Sequence, residues 1–144
     1  MFKQTLDLRV TPYVFVYGTL KRSRGNDRLL FTSEFIGEGY VPDGGALKGY
    51  GIPFFTPDFQ LPEDKIGDIH GEVWKVDDPA VLARLDRLES HPNGYYRSVV
   101  EVLPFYDDSV GTGLDCWTYY FSREGLWNDE IGDNLRQADG SYRF

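Results

Sequence analysis

Two stretches far apart in the chain carry residue types that could do chemistry: Val14-Phe15-Val16-Tyr17-Gly18-Thr19-Leu20 and Leu85-Asp86-Arg87-Leu88-Glu89. In the first, residues of high β-propensity run into a glycine, a small hydroxyl residue and a leucine. Polar and turn-forming Lys21, Arg22, Ser23, Arg24 and Gly25 follow. The pattern predicts a buried strand that ends abruptly in a loop. Gly18 permits backbone angles other residues avoid, so consecutive N–H groups could converge on one space. Such a loop holds a carboxylate or a developing oxyanion without a charged side chain. Read alone, the same residues fit an ordinary hairpin or strand–helix turn.

The second stretch supplies an acid. A helix is expected from Pro79 to about Glu89, and at 100° per residue Val81, Leu82, Leu85 and Leu88 share one face. Glu89 falls at the edge of that face, while Arg84 and Arg87 point to solvent. A carboxylate turned toward a core is desolvated and its pKa rises toward neutrality. That state suits a general base that must later return its proton. The same glutamate also fits a helix end bonded to a nearby strand, or plain solvation.

Other constellations are weaker. A zinc site needs about three protein ligands, and His70, His91, Cys116 and scattered carboxylates show no ligand spacing. His70 reads as a partly buried polar strand residue and His91, before Pro92, as a turn residue. Cys116 reads as a small core residue rather than a nucleophile. There is no Gly-x-Ser-x-Gly elbow, and Gly37-x-Gly39 lacks the rest of a dinucleotide fingerprint.

The elements that would position these groups follow from punctuation and alternation. Strands are expected over residues 13–17, 35–41, 46–50, 66–76, 95–103 and 114–121. A first-strand lead-in alternates at Leu6, Leu8 and Val10, and Asn26 can cap a short helix over 27–31. Pro42-Asp43-Gly44-Gly45 predicts a turn. Ile52-Pro53-Phe54-Phe55 predicts an edge or bend, with a loop over 57–64. Gly67 and Gly71 suggest a bulge or a close backbone approach. Asp78 is a good N-cap and Pro79 suits the first helical position. A loop is expected over 104–113, and a short helix over 130–137. With no repeat or linker, residues 1–144 read as one domain. The fold class expected is α+β, with a mixed, strongly curved or barrel-like sheet.

Composition narrows the function classes. A chain of 144 residues, 41% hydrophobic and 16% aromatic, is long enough to bury a true core and rich in strand formers. Fifteen basic against twenty-three acidic residues, a net charge of −8, argues against binding nucleic acid or anionic membranes. The basic run from Lys21 to Arg28 reads as a solvated loop. A single cysteine excludes an internal disulfide. Met1 to Arg9 has no apolar leader core, and no apolar run nears the ~20 residues of a membrane helix. A soluble, cytoplasmic protein is expected. The sequence assigns no oligomeric state.

With these residues in view, the chain resembles the gamma-glutamylcyclotransferase-like superfamily, nearest its gamma-glutamylamine cyclotransferase branch. The opening Val14-Phe15-Val16-Tyr17-Gly18-Thr19-Leu20-Lys21-Arg22 with Gly25-Asn26 resembles that family's first strand and loop. Ile52-Pro53-Phe54, Gly71-Glu72-Val73-Trp74-Lys75-Val76, Leu85-Asp86-Arg87-Leu88-Glu89 and Tyr95-Tyr96-Arg97 resemble further family segments in the family's order. The resemblance covers roughly residues 13–121, with the tail matching poorly. It implies a small barrel of mixed strands flanked by one to three short helices. It also implies a pocket lined by Tyr17, Gly18, Thr19 and Leu20, with Tyr95 nearby and Glu89 as catalytic acid/base. The implied reaction cyclises a small-molecule gamma-glutamyl amide to 5-oxoproline and free amine, without metal or cofactor. A non-catalytic binding module on the same barrel, and an acyl-transfer or amidohydrolase variant, are the competing readings.

Overall fold

The computed structural model describes residues 11–18, 33–48, 54–57, 63–88, 95–104, 113–121 and 135–144. Their elements are β1 (Tyr13–Val16), β2 (Glu34–Lys48), β3 (Phe54–Pro57), β4 (Gly67–Lys75), α1 (Pro79–Leu88), β5 (Tyr95–Pro104) and β6 (Leu114–Phe121). A 3-10 turn at Glu63–Lys65 precedes β4. The proposed lead-in strand and the 27–31 helix lie outside the described residues.

The strands form one sheet in the order β3-β2-β4-β1-β6-β5, and β2 also pairs with β5. That extra pairing closes β2, β4, β1, β6 and β5 into a barrel and leaves β3 on the rim. The sheet is mixed: β1 runs parallel to β6, and the other strand pairs are antiparallel. The expected barrel-like α+β architecture is therefore present. Closure has a steric requirement at Gly39, which pairs with Pro104. A Cβ there would sit 2.8 Å from Val102 Cγ1 and 2.9 Å from Leu103 O. The glycine pattern that fails as a nucleotide fingerprint thus serves the barrel seam.

Alternation sorts the side chains between two faces. The barrel interior collects Phe15, Tyr17, Val41, Ala46, Leu47, Ile69, Val73, Val102, Cys116 and Tyr142. The outer face collects Val14, Val16, Trp74, Val76, Trp117 and Tyr119 beneath Val81, Leu82 and Leu85 of α1. The helix starts as expected: Ala80 N–H donates to Asp78 Oδ1 at 2.9 Å, and Pro79 occupies the first helical position. Arg84 and Arg87 are exposed, also as expected.

Three expectations are corrected. Pro42-Asp43-Gly44-Gly45 does not reverse the chain, because β2 continues through it to Lys48. Between Val41↔Ile69 and Gly45↔Gly67, β2 spends two more residues than β4 and absorbs them as a bulge. Asp43 takes a positive φ of 45° there, and its N–H donates to Asp68 Oδ1 at 2.8 Å. The loop expected over 57–64 is corrected at both ends, since Pro57 closes β3 and Glu63 and Asp64 belong to the 3-10 turn. The helix expected over 130–137 is not present over 135–137, where Arg136 bridges Tyr142 instead, and 130–134 lie outside the described residues. Of the Ile52-Pro53-Phe54-Phe55 stretch, Phe54 and Phe55 lie in β3, which pairs with β2 alone among the described strands, while Ile52 and Pro53 lie outside the described residues.

Gly71 makes the close approach its position suggested. A Cβ on it would collide with Val16 O and come within 2.6 Å of Phe15 Cζ. The last ten residues then fold back onto β4. Tyr142 N–H donates to Asp68 O at 2.8 Å, and His70 N–H donates to Tyr142 O at 2.9 Å. The ring of Tyr142 is fully buried in the interior cluster, and its hydroxyl donates to Lys65 O at 2.7 Å.

Candidate functional site

Strand β1 ends at Val16, and the chain leaves the sheet through Tyr17 and Gly18, both buried. Tyr17 belongs to the interior cluster, and its hydroxyl donates to Tyr119 O at 2.6 Å. Tyr119 pairs with Arg97 on β5, and Tyr95 opens β5 opposite Phe121. Because β6 runs parallel to β1, Tyr119 and Phe121 lie toward the end of the sheet where β1 exits. The exit of β1 and the start of β5 therefore share that end, with β6 between them. The structure thus gathers Tyr17, Gly18 and the backbone of Tyr95 at one end of the sheet. Thr19, Leu20, Glu89 and the side chain of Tyr95 lie outside the described residues.

α1 ends at Leu88, the residue before Glu89. Its Leu85 is fully buried against the outer face of the sheet. Six residues link Leu88 to Tyr95, so this connection spans no more than about 25 Å at full extension.

The helix-covered face carries two charged residues that the sequence argument did not nominate as site residues. Glu72 on β4 is 4% exposed and Arg97 on β5 is 9% exposed. Glu72 pairs with Val16, and Arg97 pairs with Tyr119. The four residues form a row across β4, β1, β6 and β5 at the level where β1 ends. Trp74 shares the face of Glu72, and its Nε1–H reaches Glu72 Oε1 at a long 3.4 Å. The signal was period-two alternation: Glu72 shares a strand face with Trp74, and Arg97 with Val99.

The remaining nominated chemistry is accounted for in other ways. Cys116 is fully buried with its Sγ 3.6 Å from Leu114 O. Burial, aided by the negative charge of Asp115, pushes its thiol pKa up to about 12, so it is a packing residue rather than a nucleophile. His70 is half-buried; Arg143 Nη2 lies 3.0 Å from its Nδ1, and its ring sits 6.1 Å from that of Tyr40. The tail's Asp139 carboxyl is held below its usual range by hydrogen bonds from the Ser141 hydroxyl and N–H. His91 lies outside the described residues.

A small closed mixed barrel with one helix packed on its outer face defines the class of fold. Among solved structures, an AIG2-like protein from Mus musculus shares it with a TM-score of 0.66 and 25% identity, over 83% of this chain and 81% of that one. A gamma-glutamyl cyclotransferase shares the fold with a TM-score of 0.53 and 19% identity, over 77% of this chain and 66% of that one. In sequence, the chain is 30% identical over 125 residues to the gamma-glutamylcyclotransferase family protein YtfP of Escherichia coli K12. That alignment spans 85% of this chain and 95% of that protein. A Methanocaldococcus jannaschii protein provisionally named a gamma-glutamylcyclotransferase is 36% identical over 110 residues, spanning 76% of this chain and 83% of that one.

The profile of the gamma-glutamyl cyclotransferase, AIG2-like family matches residues 14–144, and the chain belongs to that family. The match reaches Phe144, so the family likeness extends through the tail that the sequence reading left outside it. The described tail residues explain why: Tyr142 is part of the barrel core. Among the described residues no helix is long and apolar enough to cross a membrane.

Proposed function

We propose that this protein is a gamma-glutamyl cyclotransferase of the cytoplasm, cleaving a small gamma-glutamyl amide to 5-oxoproline and a free amine, with Glu89 as acid/base. Family membership supports the reaction class. The observation that carries the assignment of Glu89 is α1 itself, which buries Leu85 on the outer face and ends one residue before Glu89.

The reaction asks little of a protein beyond shape and proton handling. The substrate's own α-nitrogen attacks its γ-carbonyl carbon, so the enzyme chiefly folds the glutamyl arm into a near-attack conformer. A carbon–nitrogen bond forms as the ring closes, and the amide carbon–nitrogen bond breaks as the tetrahedral intermediate collapses. Two protons leave the attacking nitrogen and two end on the departing amine. Glu89 carries them from one nitrogen to the other. Backbone N–H groups of Gly18, Thr19 and Leu20 hold the substrate carboxylate or the oxyanion. Tyr17 and Tyr95 shape the pocket around the glutamyl arm. No step needs a metal or a cofactor. The gamma-glutamylamine branch makes gamma-glutamylamines the first substrates to test.

The deciding experiment measures 5-oxoproline release over a panel of gamma-glutamyl amides, with wild type and Glu89→Gln side by side. Wild type should turn over at least one member, and Glu89→Gln should lose orders of magnitude in kcat. Release of glutamate instead would indicate hydrolysis. Tight ligand retention without turnover, unchanged by Glu89→Gln, would replace the enzyme with a binding module.

A further inference from the structure

Side-chain hydroxyls tie the β1 segment to β6 at three places. The two are the one parallel strand pair among the described residues, registered at Val14↔Trp117. Where β1 begins, Thr11 Oγ1 donates to Asp115 O at 2.6 Å and accepts from Tyr13 N–H at 3.1 Å. Midway, Thr118 Oγ1 donates to Phe15 O at 3.2 Å. At the exit, beyond the last residue of β1, Tyr17 OH donates to Tyr119 O at 2.6 Å. The Thr11 bonds tie down the residues before β1, and the Thr118 bond reinforces a strand that already has ladder partners. The Tyr17 bond lies where β1 has ended, one residue before Gly18.

We infer that Tyr17 is a positioning residue, whose phenol stands in for a ladder hydrogen bond and fixes the direction in which the chain leaves the sheet at Gly18. The ring is anchored in the barrel interior and is 8% exposed, so the hydroxyl has little freedom to seek another acceptor. A short, buried bond of this kind sets the peptide plane that carries the Gly18 N–H. Catalytic donors of this sort work only if they are already oriented when charge develops. A small misplacement of such a group costs rate rather than binding. The inference rests on the functional reading above for its kinetic consequence, though not for its structural one.

A second tyrosine supplies the control. Tyr142 is also buried in the interior cluster, and its hydroxyl donates to a backbone carbonyl, Lys65 O, at 2.7 Å. Tyr17→Phe and Tyr142→Phe therefore make the same chemical change, one oxygen removed and no carbon lost, at different places in one core. Amide hydrogen exchange resolved by residue, melting temperature and 5-oxoproline kinetics are measured for both variants and wild type. Tyr17→Phe should fold, speed exchange at Gly18 about ten-fold, and lower kcat about ten-fold with KM within two-fold. Tyr142→Phe should lower the melting temperature to a similar degree and leave Gly18 exchange and kcat at wild-type values. Unchanged Gly18 exchange in Tyr17→Phe, or equal effects of the two variants on it, overturns the inference. Wild type that turns over no gamma-glutamyl amide would sink the functional reading alone, because the exchange comparison still decides whether Tyr17 fixes the loop.

Discussion

The two faces of the barrel sheet treat polar groups differently. In the interior, the polar side chains among the described residues are hydroxyls and a thiol aimed at backbone carbonyls: Tyr17 to Tyr119, Tyr142 to Lys65, Thr118 to Phe15 and Cys116 to Leu114. Each has an acceptor at hand, as a close-packed core requires. The outer face buries charge instead. Glu72 and Arg97 lie on the sheet face of Val16, Trp74 and Tyr119, and Trp117 Nε1 is buried with no hydrogen-bond partner among the described residues. Burying charges and leaving a donor unmet both cost stability. A sequence keeps such features where function draws on them. The outer face that α1 packs against thus also carries two buried charged residues, Glu72 and Arg97, at the level where β1 exits.

The largest effect that would break this comparison is in the interior. Leu47 is fully buried in the interior cluster, on β2 beside edge strand β3. Leu47→Ala should cost about 2–5 kcal/mol in urea unfolding, from lost transfer energy and the cavity left behind. Activity per folded molecule should stay at the wild-type level. A variant that kept its stability but lost turnover would show that Leu47 itself serves the site rather than the packing alone.

Next in size is the helix-covered face. Glu72→Gln keeps the shape, keeps an oxygen for Trp74 Nε1 to reach, and removes a buried charge. Stability should move by no more than about 1–2 kcal/mol in either direction, since a buried charge and its partners nearly offset one another. 5-Oxoproline release should fall about ten-fold, equivalent to about 1.4 kcal/mol at the transition state. The reverse outcome, full activity with a large loss of stability, would make Glu72 a structural residue and remove the contrast between the faces.

Legibility in the sequence followed the range of the interactions involved. The start of α1 was readable because Asp78, Pro79 and Ala80 settle it among themselves. The mixed barrel, the edge position of β3 and the inert Cys116 also followed from alternation and punctuation. Pro42-Asp43-Gly44-Gly45 misled because a turn motif is local, whereas chain reversal depends on the partner. β4 continues opposite, so the extra residues became a bulge. Tyr142 was invisible because it sits in a tail without periodicity, and only the barrel gives it a place. Glu72 and Arg97 were placed on the right strands, but their burial depends on tertiary packing, which alternation does not encode. For the site, the sequence supplied the β1 exit and the end of α1; Glu89 itself lies outside the described residues.

The smallest expected effect concerns Cys116, and it sharpens the comparison from the interior side. Burial raises its pKa from 9.0 to about 12, with Asp115 adding to the shift. The folded protein therefore holds this proton more tightly than the unfolded chain does. The stabilisation is fully present below the unfolded thiol pKa and is lost as pH climbs toward 12. Native protein at neutral pH should leave a thiol reagent unreacted until it unfolds. Cys116→Ala, which removes the titration, should flatten the fall in stability measured between pH 9 and 11 while leaving 5-oxoproline kinetics alone. Rapid labelling of the native thiol would mean that the interior opens to solvent, and the dry core contrasted with the charged outer face would not exist.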